Sequence, residues 1–399
     1  MGNKRKNVIS FVFHSNLCTF AAEMKLLVFN PEHDIALASN LANFTAPHAG
    51  RQLRADLGFL PALWAEEGDK VLVDHVESAE KAFRRVAHRL RILGCRDLPI
   101  VNERFTSAKL SVYSDQMTDV LPWGWNLALR ASLKRAGIAP ALMPSEEQIA
   151  HIRQLSHRRT ASRLLPLLQM DGTVGESFEC TTPDEVETLL ARYGQVVMKA
   201  PWSSSGRGLR FLSTERTPFQ MQAGWFRNVV AQQGSVMVEP LYNKVRDFGM
   251  EFYADDSGIH YLGLSLFHTV NGAYEGNILA MEATKREIIG RYIPVSLLDS
   301  IEQKIISSLD LGDYRGPFGV DMMIVTSVSH HPSLRATLRP SGQRTISPQC
   351  LLHPCVEINL RRTMGHVALA ISPTDDDIVR VMRIAYNGTN YQLKIQRLK

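Results

Sequence analysis

The chain is short of several features that would mark it for particular roles. Its 399 residues include five cysteines, an odd number with no Cys-x-x-Cys pair. That excludes a complete disulfide framework and favours a reducing compartment, the cytoplasm. Basic side chains barely outnumber acidic ones, 45 against 40, and the excess is scattered over short pairs such as Arg84-Arg85, Arg158-Arg159 and Arg361-Arg362. Without a reading motif such pairs are solvated faces rather than a nucleic-acid footprint. The N-terminus lacks a membrane-spanning run. Lys4-Arg5-Lys6 followed by Val8 to Phe13 imitates a signal peptide, but His14, Ser15 and Asn16 interrupt it and the apolar stretch is too short to span a bilayer. Nor is the chain poor in core-forming residues: 45% hydrophobic with 21% charged is ordinary for a globular protein of two or three domains. One lack is local. No acid occurs between Met322 and Val356, a stretch that holds Arg335, Arg339 and Arg344 together with Pro332, Pro340 and Pro348.

Against this background two stretches stand out. Val196-Val197-Met198-Lys199 is a strand-like run ending in a lysine, and Ala200-Pro201-Trp202-Ser203-Ser204-Ser205-Gly206-Arg207-Gly208 follows it. A strand opening into a loop of small residues lets backbone N–H groups approach phosphates. Far downstream, Val356-Glu357-Ile358-Asn359-Leu360-Arg361 alternates polar and apolar side chains. In a strand, residues two apart point the same way, so Glu357, Asn359 and Arg361 face one site while Ile358 and Leu360 enter a core. Two hard oxygen ligands near a phosphate loop make a magnesium-and-phosphate site.

Further motifs fall in order between them: Val238-Glu239-Pro240-Leu241, Arg246-Asp247-Phe248 and Gly316-Pro317-Phe318-Gly319-Val320-Asp321. Together the five resemble the ATP-grasp superfamily, in which two α+β subdomains close on ATP, and the resemblance covers roughly Ser156 to the C-terminus. It implies roles for individual residues. Ser203 to Gly208 is similar to the phosphate-covering loop and Lys199 to the phosphate lysine. Asp321 resembles the first metal acid, with Glu357 and Asn359 completing a set for Mg²⁺ or Mn²⁺. Glu239 and Leu241 lie at the adenine-pairing hinge, and Asp247 stands where an acid holds the ribose. Arg159 or Arg158 takes the place of a lysine that reaches the α-phosphate; a guanidinium binds as a planar fork rather than as a point charge. Arg361 meets the transferring phosphoryl group, as in biotin-carboxylase-like members, because Gly319 stands where D-alanine-ligase-like members carry an arginine.

The expected fold class is α/β and α+β, an ATP-grasp unit preceded by a small parallel α/β domain. Residues 1–23 read as a disordered leader or a mis-assigned start, with Met24 opening the structured protein. The α/β domain runs over 24–110, with a buried first strand at Lys25–Pro31, further strands at Lys70–Val73 and Pro99–Val101 and an amphipathic helix from Ser78 to Leu93. A helical linker spans 111–155, holding Pro122-Trp123-Gly124-Trp125-Asn126 as an indole wedge at a domain interface and a helix capped by Ser145. The small subdomain follows over 156–240 and the large one over 241–399, with a 327–354 insertion read as a cationic lid or a solvated loop. At the carboxyl end of the first strand, Glu32, His33 and Asp34 are candidates for substrate contact; in the alternative, Asp34 caps the helix and His33 is a satisfied turn residue. His268, Tyr274 and Asn277, in a polar turn, are candidates for choosing the acceptor. Cys350, His353 and Cys355, with His330 or His331, offer nitrogen and sulfur ligands for zinc, although their spacing fits no standard pattern.

The implied activity is an ATP- and Mg²⁺-dependent ligase that activates a carboxylate as an acylphosphate and joins it to an amine or amino acid. The alternatives are a small-molecule kinase on the same scaffold and a nucleotide-binding module without catalysis. The implied partners are small molecules, with no nucleic acid and no membrane; the oligomeric state is left open.

Overall fold

The computed structural model describes residues 24–107, 110–113, 116–203, 208–270, 273–326, 350–375 and 378–398. The expected leader, the loop residues Ser204, Ser205, Gly206 and Arg207, and residues 327–349 of the expected insertion lie outside the described residues. Described residues 350–354 belong to a strand rather than to an insertion.

Met24–Val28 (β1) is almost wholly apolar and buried along its length, as a strand covered on both faces must be. It pairs in parallel with Lys70–Leu72 (β2) on one side and with Met117–Pro122 (β4) on the other. Phe105–Thr106 (β3) completes the parallel sheet, in the order β3-β2-β1-β4. Two expectations need correction. The third strand is not at Pro99–Val101 but at Phe105–Thr106, because Phe105 is the residue that packs, edge-on to Phe83 at 5.9 Å, whereas Ile100 is exposed. The stretch expected as a helical linker supplies β4, and Leu133, Ile138 and Met143 share a core with Met24, Leu26 and Val28. The first layer therefore runs well past Leu110. Asn126 caps the helix Leu127–Arg135 through Leu129 N, and Ser145 with Gln148 forms a capping box on Glu146–Leu155.

Phe178–Cys180 (β5), Gln195–Lys199 (β6), Leu209–Ser213 (β7) and Val236–Pro240 (β8) form an antiparallel sheet in the order β5-β8-β6-β7. Helices Pro183–Tyr193 and Ala223–Gln233 pack on it. Lys244–Asp255 (β9) and Gly258–Ser265 (β10) begin the next sheet, Phe267–Val270 (β11) and Ala273–Leu279 (β12) form a hairpin, and Gly316–Thr326 (β13) and Cys350–Asn359 (β14) return to β9, giving the order β10-β9-β13-β14. Arg380–Tyr386 (β15) and Tyr391–Arg397 (β16) join the hairpin as β11-β12-β15-β16.

The C-terminal strands share one core with the first layer. Met382, Leu393 and Ile395 are buried with Phe83 and Leu90, Arg380 Nε donates to Leu93 O, and Arg89 Nε to Ile395 O. Trp123 lies in the same core against Val367 and Ile371, its ring edge-on to Phe29 at 5.0 Å. Among the described residues no helix is long and apolar enough to cross a membrane.

Candidate functional site

Strand register assembles the site. On β13, Phe318, Val320, Met322 and Ile324 enter the main core, so Gly319, Asp321 and Met323 face the other way. Antiparallel pairing with β9 and β14 extends this alternation into three rows: Asp247, Met323 and His353; Gly249, Asp321 and Glu357; Glu251, Gly319 and Asn359. Ile358 and Leu360 go into the core as the alternation requires. Asn359 Nδ2 donates to Asp321 Oδ2 at 3.1 Å. Asp321, Glu357 and Asn359 are thus gathered on one face. Burial first, then the charges of Glu357 and Glu251, push the Asp321 carboxyl up to about 8.

Glu251 is an acid that the motifs did not single out. It is buried, with His366 Nδ1 2.9 Å from Oε2, and its alternation with Phe248, Met250 and Phe252 was the available signal. Glycines make room for these carboxyls. A Cβ on Gly319 would stand 2.6 Å from Glu251 Oε2, and one on Gly365 would overlap Glu251 Oε1 and Ser265 Oγ. Gly365→Ala is therefore expected to destabilise the protein by about 1–3 kcal/mol through overpacking, measured by urea denaturation; an unchanged midpoint would show that Glu251 can move aside freely.

The donor set suits a hard cation. Two carboxylates and an amide carbonyl leave positions for phosphate oxygens and water, which is how Mg²⁺ is commonly held. The Asn359 carbonyl oxygen now accepts from Arg361 Nη2 at 3.0 Å, so the amide would turn over to join the two acids. Among the described residues no group of three or more His, Cys, Asp or Glu is arranged to hold a metal. The zinc alternative is corrected accordingly: Cys355 enters the main core while His353 packs against Tyr242, and His330 and His331 lie outside the described residues.

The facing sheet carries Lys199, whose Nζ is 2.5 Å from Glu239 Oε2, both side chains being buried. The ends of the loop expected to cover the phosphates are held together by Ala200 N donating to Gly208 O at 2.8 Å. Of the two arginines named as alternatives, Arg158 is the one that reaches the row of Asp321 and Glu357. Arg158 Nη1 lies 2.9 Å from Glu357 Oε2, its Nε donates to Ala200 O and its Nη2 to Ser203 Oγ. Arg159, named for the phosphate, bonds instead to Glu179 at 2.7 Å and to His157. One residue along a helix turns a side chain by about 100°, which is enough to separate them.

Arg361 makes a fork with a residue 327 positions away. Its Nε and Nη2 donate to the two oxygens of Asp34, each at 2.7 Å. Burial opposes both charges, but the pairing outweighs it: the Asp34 carboxyl is held below its usual range and the Arg361 guanidinium above its own. Asp34 therefore neither caps its helix, where Glu32 is the N-cap, nor stands open. Glu32 pairs with Arg54 at 2.8 Å. His33 is buried, its pKa pushed down to about 4 by that burial. His33, Asp34, Ser156, Ser203, Glu357 and Asn359 line one small pocket.

The remaining candidates are placed elsewhere. Leu241 N donates to Gln195 O at the end of β8. Asp247 accepts from Lys244 Nζ at 2.6 Å and from Thr269 Oγ1. Tyr274 donates to Asn277 Oδ1 at 2.5 Å, and Asn277 Nδ2 to Ser265 Oγ at 2.8 Å, so both are engaged within the sheet. His268 is exposed beside Glu275, 3.5 Å away.

No family model matches the chain, and no curated protein matches it. Solved structures do. N5-carboxyaminoimidazole synthetase from Staphylococcus aureus, complexed with ADP, is 14% identical with a TM-score of 0.47, over 95% of this chain and 85% of that one. Biotin carboxylase from Campylobacter jejuni is 12% identical with a TM-score of 0.49, over 92% and 77%. N5-carboxyaminoimidazole synthase from Aspergillus clavatus, in complex with ADP and 5-aminoimidazole ribonucleotide, is 10% identical with a TM-score of 0.45, over 92% and 84%. At these scores the likeness carries no argument, and the site is read from this chain's own residues.

Proposed function

We propose that the chain binds ATP with Mg²⁺ between the β6–β8 and β13–β14 sheets and uses it to join a carboxylate to an amine. The observation that carries this reading is the row Gly249–Asp321–Glu357 beside Glu251–Gly319–Asn359, with Lys199 and Glu239 on the facing sheet. Phosphoryl transfer asks little covalent work of a protein and much positioning and charge neutralisation. Mg²⁺, when bound, would neutralise charge on the phosphate oxygens. Asp321, Glu357 and Asn359 would hold it; Lys199 would leave Glu239 for the phosphates; Arg158 would tie the loop at Ser203 to Glu357. Arg361, fixed by Asp34, Asn359 and the Arg362 carbonyl, would stand beside the reacting group.

In this reading the substrate carboxylate oxygen attacks the γ-phosphorus, forming an acylphosphate and releasing ADP. The amine then attacks the acyl carbon, phosphate leaves, and the amine proton passes to solvent. The test is incubation of the protein with ATP, Mg²⁺ and pooled small carboxylic acids and amino acids, following nucleotides and product masses together. ADP with a condensed mass is expected, and Glu357→Gln should abolish most of it. ADP with a stable mass gain of one phosphoryl group would replace the ligase by a kinase. ATP binding without turnover would leave a binding module.

A further inference from the structure

His353 is fully buried, and neither of its ring nitrogens has a hydrogen-bond partner among the described residues. Buried polar groups are almost always paired, so an orphan of this kind calls for a reason. Its surroundings supply one. His353 lies in the same cross-strand row as Met323 and Asp247, next to the row of Asp321 and Glu357. Along β13 the two rows are two residues, roughly 7 Å, apart. Val174, Tyr242, Val325 and Leu351 form a small apolar cluster here, with Met323 packed against it. The Tyr242 ring is edge-on to the imidazole at 5.6 Å, and the charges of Glu239 and Lys199 act on it from the facing sheet. Gly175, at φ +145°, brings backbone over the ring: a Cβ there would stand 2.9 Å from His353 Nε2.

Apolar walls with one or two convergent polar groups are what a planar heterocycle requires. We propose that His353 is the polar contact for the nucleobase of the bound nucleotide, donating to or accepting from its edge through one ring nitrogen. The proposal rests on the nucleotide reading above and adds a residue to it. If phosphates lie at the row of Asp321 and Glu357, the base extends along the sheet to the row of His353. Burial holds the imidazole pKa down to about 4, so at neutral pH it is uncharged, with one nitrogen a donor and the other an acceptor. Gly175 lies against the Nε2 edge of the ring, so Nδ1 is the nitrogen left to meet a purine edge, which carries both donors and acceptors.

The experiment compares two probes, Mg-ATP and Mg-tripolyphosphate, the second having no base, by calorimetry on the full chain and on His353→Leu. The variant is expected to bind ATP about tenfold more weakly, the size of one lost hydrogen bond, with tripolyphosphate affinity unchanged. Equal ATP affinity in the two proteins would overturn the proposal, as would equal losses for both probes. If His353→Leu does not fold, the wild-type chain labelled with ¹⁵N-histidine answers the same question: the His353 ring resonances should shift with ATP and stay in place with tripolyphosphate. Shifts with both probes, or with neither, would overturn it. Failure of the wild-type chain to bind ATP would overturn the nucleotide reading and this inference together, whereas ATP binding without a His353 effect would remove only the inference.

Discussion

Lys199→Met is expected to lower the unfolding free energy by about 3–5 kcal/mol, because it leaves Glu239 charged and buried without its partner. Both side chains are nearly inaccessible, 7% and 6% exposed, at a separation of 2.5 Å. Such a pair is a poor source of net stability, since the desolvation of two ions offsets most of their attraction. Breaking it is another matter. The cost arises from the orphaned carboxylate, so Lys199→Met combined with Glu239→Leu should recover most of the loss, and the double-mutant cycle in urea measures the coupling directly. A single-variant cost below about 0.5 kcal/mol, typical of a surface substitution, would mean that the pair is solvated. The same arithmetic bears on function. In the proposed reading nucleotide phosphates would take over Lys199, and Glu239 would then be the group left to seek a donor; Ser177 Oγ, 3.3 Å from its other oxygen, is already in place. Nucleotide should accordingly raise the melting temperature of the wild-type chain and do so weakly in the double variant.

What could be read from the sequence, and what could not, divides along physical lines. The period-2 alternation around Asn359 places Glu357 and Asn359 on one face without knowledge of their neighbours, because a strand allows only two faces. Arg158 and Arg159 were not separable, since both begin a helix and only the position of Glu357 decides which of them reaches it. The Asp34–Arg361 fork spans 327 positions, and nothing local marks one as the partner of the other. Glu251 was missed because it carries no motif; its importance comes from lying across Gly319 from Asn359. Strand β3 was displaced for a similar reason: Pro99-Ile100-Val101 has suitable apolar residues, but Phe105 is the one within reach of Phe83. Local patterning therefore predicts faces well, while partners and register depend on packing that only the assembled chain reveals.

Asp321→Asn is expected to remove a pH dependence from the stability of the metal-free protein. Burial and the neighbouring carboxylates raise the Asp321 pKa from 3.8 to about 8 in the folded chain, while the unfolded chain keeps the ordinary value. Between these limits the folded state holds a proton that the unfolded state has released. Its contribution to stability is therefore complete below pH 4 and shrinks as pH rises, until it is gone above about 8. The difference across that window is on the order of a few kcal/mol, and asparagine, which has no proton to lose, should flatten this component of the profile. Mg²⁺ then acts in the opposite direction. It requires the ionised carboxylate, so its binding should release protons and strengthen as pH rises towards 8. Denaturation midpoints from pH 5 to 9, with and without Mg²⁺, test both halves. Wild-type protein should weaken with pH when metal-free and regain stability with Mg²⁺; Asp321→Asn should show neither response. Parallel profiles for the two proteins without metal would mean that the carboxyl titrates normally, and an undiminished Mg²⁺ response in the variant would remove Asp321 from the proposed metal set.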